Sequence, residues 1–254
     1  MREEQLGGLK VRLTGGRDGQ GGGEGPMVVL MHGFGAPGTD LLPLAGEIEA
    51  PAGTRFAFPE APNLLPFDLG GGVGRAWWMI DVMRLQMAMM LGQERDLSAE
   101  VPEGLPAARA LVEAMLVELV ERFAVDRGKL VLGGFSQGAM LACDVTLRDR
   151  QPLAGLVLLS GTYLAADEWT PLMDQRAGLP VLQSHGRQDP LLPFSLAERL
   201  RDALAGAGLE VTWVPFDGGH GIGLEVLDQL SGFLADNLGG QPCRGGYSSP
   251  SSSR

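Results

Sequence analysis

Cysteine, histidine and positive charge are all scarce in this chain, and each scarcity removes a class of function. Of the two cysteines, Cys143 falls in a run that reads as a buried helix and Cys243 in a polar stretch, so neither a disulfide framework nor a zinc spacing exists. Twenty basic residues against 31 acidic ones leave a net charge of −11, which repels nucleic acids and anionic membranes from most of the surface. No apolar run approaches the roughly 18 residues of a membrane span, so integral membrane association is not expected. The first ten residues, MREEQLGGLK, mix acids with bases and lack the apolar stretch of a signal peptide. The expectation is a soluble cytoplasmic protein with no metal centre.

Apolar residues and glycine, by contrast, are plentiful. With 44% hydrophobic residues, 254 positions suffice for a single domain that buries roughly three quarters of the surface its unfolded chain exposes. Short β-rich runs occur at 9–14, 26–31, 54–58, 129–134, 155–160, 180–184 and 211–216. Most are continuously apolar, as strands covered on both faces are. Helical patterns separate the later runs, at 107–124, 137–149, 195–206 and 223–237; in the first, Leu111, Met115, Leu119 and Phe123 recur every four residues among charged positions. Such alternation predicts an α/β fold, a mostly parallel twisted sheet with right-handed crossovers between two helix layers. The glycine-rich GGRDGQGGGEG joining the first two runs is too short for a crossover helix and predicts that they pair as an antiparallel hairpin. Residues 1–238 then form one domain, and 239–254 read as a disordered tail.

Two glycine motifs compete for the chemistry. In His-Gly-Phe-Gly-Ala-Pro-Gly (32–38), Gly33, Gly35 and Gly38 spell G-x-G-x-x-G after a strand, with Glu60 about twenty residues on, the pattern of a dinucleotide loop. Against that, Pro37 has no N–H to offer a pyrophosphate, Asp40 would repel one, and Glu60 sits in a proline-flanked turn. The second motif is Gly134-Phe135-Ser136-Gln137-Gly138, or G-x-S-x-G. With 39 glycines it would arise by chance in about one chain in four, so its position supplies the specificity. It joins a strand to a helix, where small residues two before and two after the serine permit a strained turn that lifts Oγ above the sheet.

Such a serine needs an acid and a base, following it in the order Asp, His beyond the carboxyl ends of strands. His32 precedes the serine, and His185 stands only four residues before Asp189, which makes it a poor base oriented by that acid. His220 remains, in the glycine-flanked loop DGGHGI after run 211–216. Asp189, just past run 180–184, is the favoured acid; Asp217, three residues before His220, is the other candidate.

Six ordered motifs now stand together: HGFG (32–35), FPEAP (58–62), GRAWW (74–78), GFSQG (134–138), HGRQD (185–189) and GGHGI (218–222). From about residue 27 to 237 the chain resembles the phospholipase/carboxylesterase family of α/β-hydrolases, which includes the acyl-protein thioesterases. That resemblance implies a three-layer α/β-hydrolase fold and a serine hydrolase that uses no cofactor and takes a small-molecule ester or thioester. On it, nucleophile, acid and base fall on Ser136, Asp189 and His220, and the oxyanion hole on the backbone N–H groups of Phe34 and Gln137. Two departures lie near where substrate would enter: Ala36 replaces a frequent Asp, and Trp77-Trp78-Met79 stands where the family often reads Trp-Phe-Asp.

Residues 79–91, MIDVMRLQMAMML, hold five of the eleven methionines. Side chains this adaptable read either as a cap on an acyl pocket, with Trp77, Met83 and Met87 binding substrate, or as the filling of a core helix. The resulting expectation is a carboxylesterase, monomeric or homodimeric, that cleaves small to medium acyl substrates through an acyl-enzyme on Ser136. The alternatives are an acyl-thioesterase or lysophospholipase of the same family and, more distantly, a catalytically silent interaction protein on a hydrolase fold.

Overall fold

A computed structural model describes residues 1–65, 73–91 and 95–239. Along the first half run β1 (Arg2–Leu6), β2 (Leu9–Gly16), β3 (Gln20–Gly22), β4 (Met27–Met31), α1 (Leu44–Glu47), β5 (Arg55–Pro59), the short pair β6 (Asn63–Leu64) and β7 (Arg75–Ala76), and α2 (Val82–Met90). The second half alternates regularly: α3 (Leu105–Phe123), β8 (Leu130–Phe135), α4 (Gln137–Arg148), β9 (Gly155–Leu159), α5 (Ala166–Met173), β10 (Pro180–Gly186), α6 (Phe194–Gly206), β11 (Glu210–Phe216) and α7 (Leu224–Leu238).

The main sheet has the order β1-β2-β5-β4-β8-β9-β10-β11, with β3 added to β2. Strands β1, β2 and β5 are antiparallel neighbours, and every pairing from β5 onward is parallel. The sheet opens antiparallel as the sequence suggests, but with different partners. Its hairpin is β1 with β2, and β5 lies between β2 and β4. The glycine-rich connection therefore reverses the chain across two strand spacings, and its own residues 20–22 pair with β2. Strand β1 escapes sequence reading because Arg2, Glu3 and Glu4 give an edge strand whose charge hides the β pattern.

Alternate residues of the central strands feed two cores. Met27, Val29, Met31, Leu130, Leu132, Leu156 and Leu158 pack on the side of α3 to α6, whereas Val28, Leu30, Val131, Val157 and Leu159 pack on the side of α1 and α7. Both faces of a strand are thus buried, which is why these runs lack polar positions. Parallel pairing also gathers the segments after β4, β8, β10 and β11 along one edge of the sheet. Among the described residues no helix is long and apolar enough to cross a membrane. Cys243 and residues 240–254 of the expected tail lie outside the described residues.

Candidate active site

Ser136 occupies the turn from β8 into α4, with φ 54° and ψ −115°, a backbone that side chains rarely adopt. Strand and helix meet without slack there: the Ser136 N–H donates to the Leu159 carbonyl at 2.8 Å, and its own carbonyl already accepts from Ala139 and Met140. The flanking glycines are fixed by space. A Cβ on Gly134 would lie 2.5 Å from the Met31 carbonyl oxygen, and one on Gly138 only 2.1 Å from the same atom. Their bareness lets the turn press against the end of β4.

Three side chains from separate loops converge on this turn. His220 Nε2 lies 2.8 Å from Ser136 Oγ, and His220 Nδ1 lies 2.7 Å from Asp189 Oδ2. The Asp189 side chain is fully buried, and its Oδ1 accepts from the amides of Leu191 and Leu192 at 2.8 and 3.0 Å. Burial would raise the Asp189 carboxyl pKa, but the His220 bond and charge and the two amides outweigh it, holding the group below the ordinary carboxylate range. Asp217 does not reach His220: it is 88% exposed and faces Arg187 at 3.5 Å. His185, fully buried, donates from Nε2 to the Leu192 carbonyl at 2.9 Å and stands 3.3 Å from Asp189 Oδ2.

The His32–Gly38 loop is pinned by motifs that lie far apart in the sequence. Trp77 Nε1–H donates to the His32 carbonyl at 2.9 Å, His32 Nε2 accepts from Ala61 N–H at 3.1 Å, and His32 Nδ1–H donates to the Gly33 carbonyl at 2.8 Å. Gly35 N–H donates to the Arg75 carbonyl, and Arg75 N–H to the Ala36 carbonyl. Glu60, the acid a dinucleotide loop would need for a ribose, is buried and held by Arg12 at 2.8 Å and Arg75 at 3.0 Å. Gln137 ties the other side: its Oε1 accepts from Trp77 N–H at 2.9 Å and its Nε2 donates to the Trp78 carbonyl at 2.8 Å. Because Gln137 opens α4, its backbone N–H has no acceptor within the helix. Phe34 and Gln137 both line the space above Ser136.

That space is a cavity of about 840 Å³ whose wall includes Ser136, His220, Trp78, Ile80, Leu97 and Leu191. The sequence reading of its wall needs correction. Trp77, 1% exposed, lies beneath the wall and serves the His32 carbonyl; Met83 and Met87 are 71% and 61% exposed and do not line the cavity. Segment 79–91 does contribute, through Met79, Ile80, Asp81, Arg84 and Leu85. On a helix, neighbours one position apart face different directions, so Met83 stands outside the cavity that Arg84 and Leu85 line, as does Met87. The wall from Leu97 to Gly104 and at Leu164 carries no periodic signal, and nothing in the sequence marks it.

Two buried histidines give the fold a pH dependence of their own. Burial lowers the pKa of both His32 and His185, so the folded chain keeps them neutral. The unfolded chain binds protons on both as pH drops through about 6.5, and stability therefore falls from pH 7.5 toward pH 5, by at most about 2.7 kcal/mol per pH unit for two protons. Urea denaturation at pH 7.5 and 5.5 reads this directly; equal midpoints would contradict it.

A serine on the turn after a central strand, within a sheet of this order, defines an α/β-hydrolase. The Phospholipase/Carboxylesterase family matches residues 21–238, and the chain belongs to that family. It is a hydrolase of the esterase and thioesterase type. An acyl-protein thioesterase 1 of Gibberella zeae is 27% identical over 190 residues, covering 72% of this chain and 77% of that one. One from Eremothecium gossypii is 29% identical over 218 residues, covering 83% and 87%. Among solved structures, esterase PE8 matches with a TM-score of 0.73 at 27% identity, covering 91% of this chain and 99% of the other.

Proposed function

We propose that the protein is a serine carboxylesterase acting on small to medium acyl substrates. The observation that carries this reading is the unbroken chain of hydrogen bonds from Asp189 through His220 to Ser136. Ser136 Oγ attacks the ester carbonyl carbon while His220 Nε2 takes its proton; the alkoxide leaves with that proton, and the acyl group stays on Ser136 as an ester. Water then gives a proton to His220 Nε2 as its oxygen bonds to the acyl carbon; the bond to Ser136 Oγ breaks, His220 returns the proton to Oγ, and the carboxylic acid leaves. Asp189 keeps the His220 proton on Nδ1 and stabilises the imidazolium. In both steps the carbonyl oxygen becomes an anion, which the backbone N–H groups of Phe34 and Gln137 receive; a donor of this kind is worth about 10² to 10³ in kcat. The apolar wall of the cavity takes the acyl chain.

Thioester cleavage is the second reading, favoured by the acyl-protein thioesterase names of the relatives. It uses the same groups with a thiolate leaving. A fluorophosphonate probe should label the wild type and fail on Ser136→Ala; equal labelling of both would refute the proposal. Rates on p-nitrophenyl esters of graded chain length, set against the matching acyl thioesters, then separate the two readings.

A further inference from the structure

In the sheet, β11 stands three places from β8, so the loop that starts after β11 must reach back across β10 and β9 to bring His220 to Ser136. At about 4.8 Å per strand that is some 14 Å. The segment that follows β10 secures the loop as it passes: Arg187 and Gln188 N–H donate to the Phe216 and Gly218 carbonyls at 2.9 Å each, and Asp189 holds His220 itself. Strand β9 secures it through one side chain. Ser160, immediately after β9, donates its hydroxyl to the carbonyl of Gly221, the neighbour of His220, at 2.7 Å. Its N–H donates to the Ser184 carbonyl of β10 at 2.9 Å, which fixes it between the two strands.

Ser160 is fully buried and has φ +48°, in the left-handed region where glycine carries no penalty and a side chain costs free energy. Backbone shape alone would therefore favour glycine at this position. What serine supplies and glycine cannot is the hydroxyl to the His220 loop.

We infer that Ser160 is a positioning residue for the catalytic base, holding the loop at Gly221 so that His220 Nε2 stays in reach of Ser136. This rests on the proposed role of His220. Without the bond the loop keeps its β10 anchors but gains play at the end nearest the serine. Misplacing a reacting group by about 1 Å costs up to about 100-fold in rate.

Ser160→Gly tests the inference, because it removes hydroxyl and strain together and so separates fold from positioning. Its melting temperature should stay at or above that of the wild type, while kcat on p-nitrophenyl acetate falls about 10- to 100-fold with KM changed less than about twofold. Ser160→Ala should lose activity equally. Wild-type kcat in Ser160→Gly would overturn the inference, as would a loss explained by KM or by a matching drop in melting temperature. Ser136→Ala treated with fluorophosphonate is the companion measurement. Labelling retained there refutes the Ser136 reading itself, whereas labelling lost there with Ser160→Gly fully active refutes the role of Ser160 alone.

Discussion

Asp189→Asn should lower kcat by about 10⁴ while leaving the fold standing, the magnitude known for the same change in a serine protease triad. The local bonds explain why so small a change acts so strongly. In the variant the side-chain oxygen must stay on the Leu191 and Leu192 amides, which currently hold Asp189 Oδ1. The new amide nitrogen then faces His220 Nδ1 as a donor and forces the imidazole proton onto Nε2. There it points at Ser136 Oγ, and His220 can no longer accept the serine proton. Asp217→Asn is the internal control, since Asp217 is exposed, faces Arg187 and makes no hydrogen bond to the imidazole; its kcat should stay within about twofold of wild type. Steady-state kinetics of both variants decide, and a loss of less than tenfold in Asp189→Asn would remove this carboxylate from the mechanism.

Gly138→Ala should destabilise the fold severely. The added Cβ would lie 2.1 Å from the Met31 carbonyl oxygen, 2.5 Å from its carbon and 2.7 Å from the His32 carbonyl oxygen. All three are backbone atoms at the end of β4, which is paired on both sides by β5 and β8 and cannot retreat without opening the sheet. A loss of about 3 kcal/mol or more follows, or roughly 6 to 12 °C in Tm for a chain of this size. Gly206→Ala, where nothing lies within 4 Å of the new methyl, should leave Tm unchanged or slightly raised. Thermal melts of the two variants side by side give the test; equal Tm values would contradict the packing argument.

How much of this could be read beforehand depended on whether a feature leaves a local trace. The seven β-rich runs all became strands, and in the interior ones burial on both faces writes itself as unbroken apolar sequence, as at Met27–Met31 and Leu130–Phe135. That Ser136, Asp189 and His220 come together was legible because turn glycines and strand ends mark where loops can carry chemistry. Pairing order was not: β5 inserts between β2 and β4, a choice made by long-range burial that a short glycine loop neither demands nor forbids. The cavity wall was harder still. Trp77 looks like a binding residue by its bulk and by its company, yet its indole N–H is spent on the His32 carbonyl. Ser160 stands in a plain LLSG sequence, and only its backbone angle and the carbonyl above it reveal a purpose.

The placement of β11 carries one more consequence. This strand closes one margin of the sheet, while the serine stands at the end of β8 in its interior. Margins of a sheet open at lower free energy than its middle. Under the proposed roles of His220 and Ser136, fraying there would withdraw the imidazole and leave the serine hydroxyl without its base. On the proposed mechanism, activity should then be lost before the chain unfolds as a whole, so that turnover reports on the outermost strand rather than on the core.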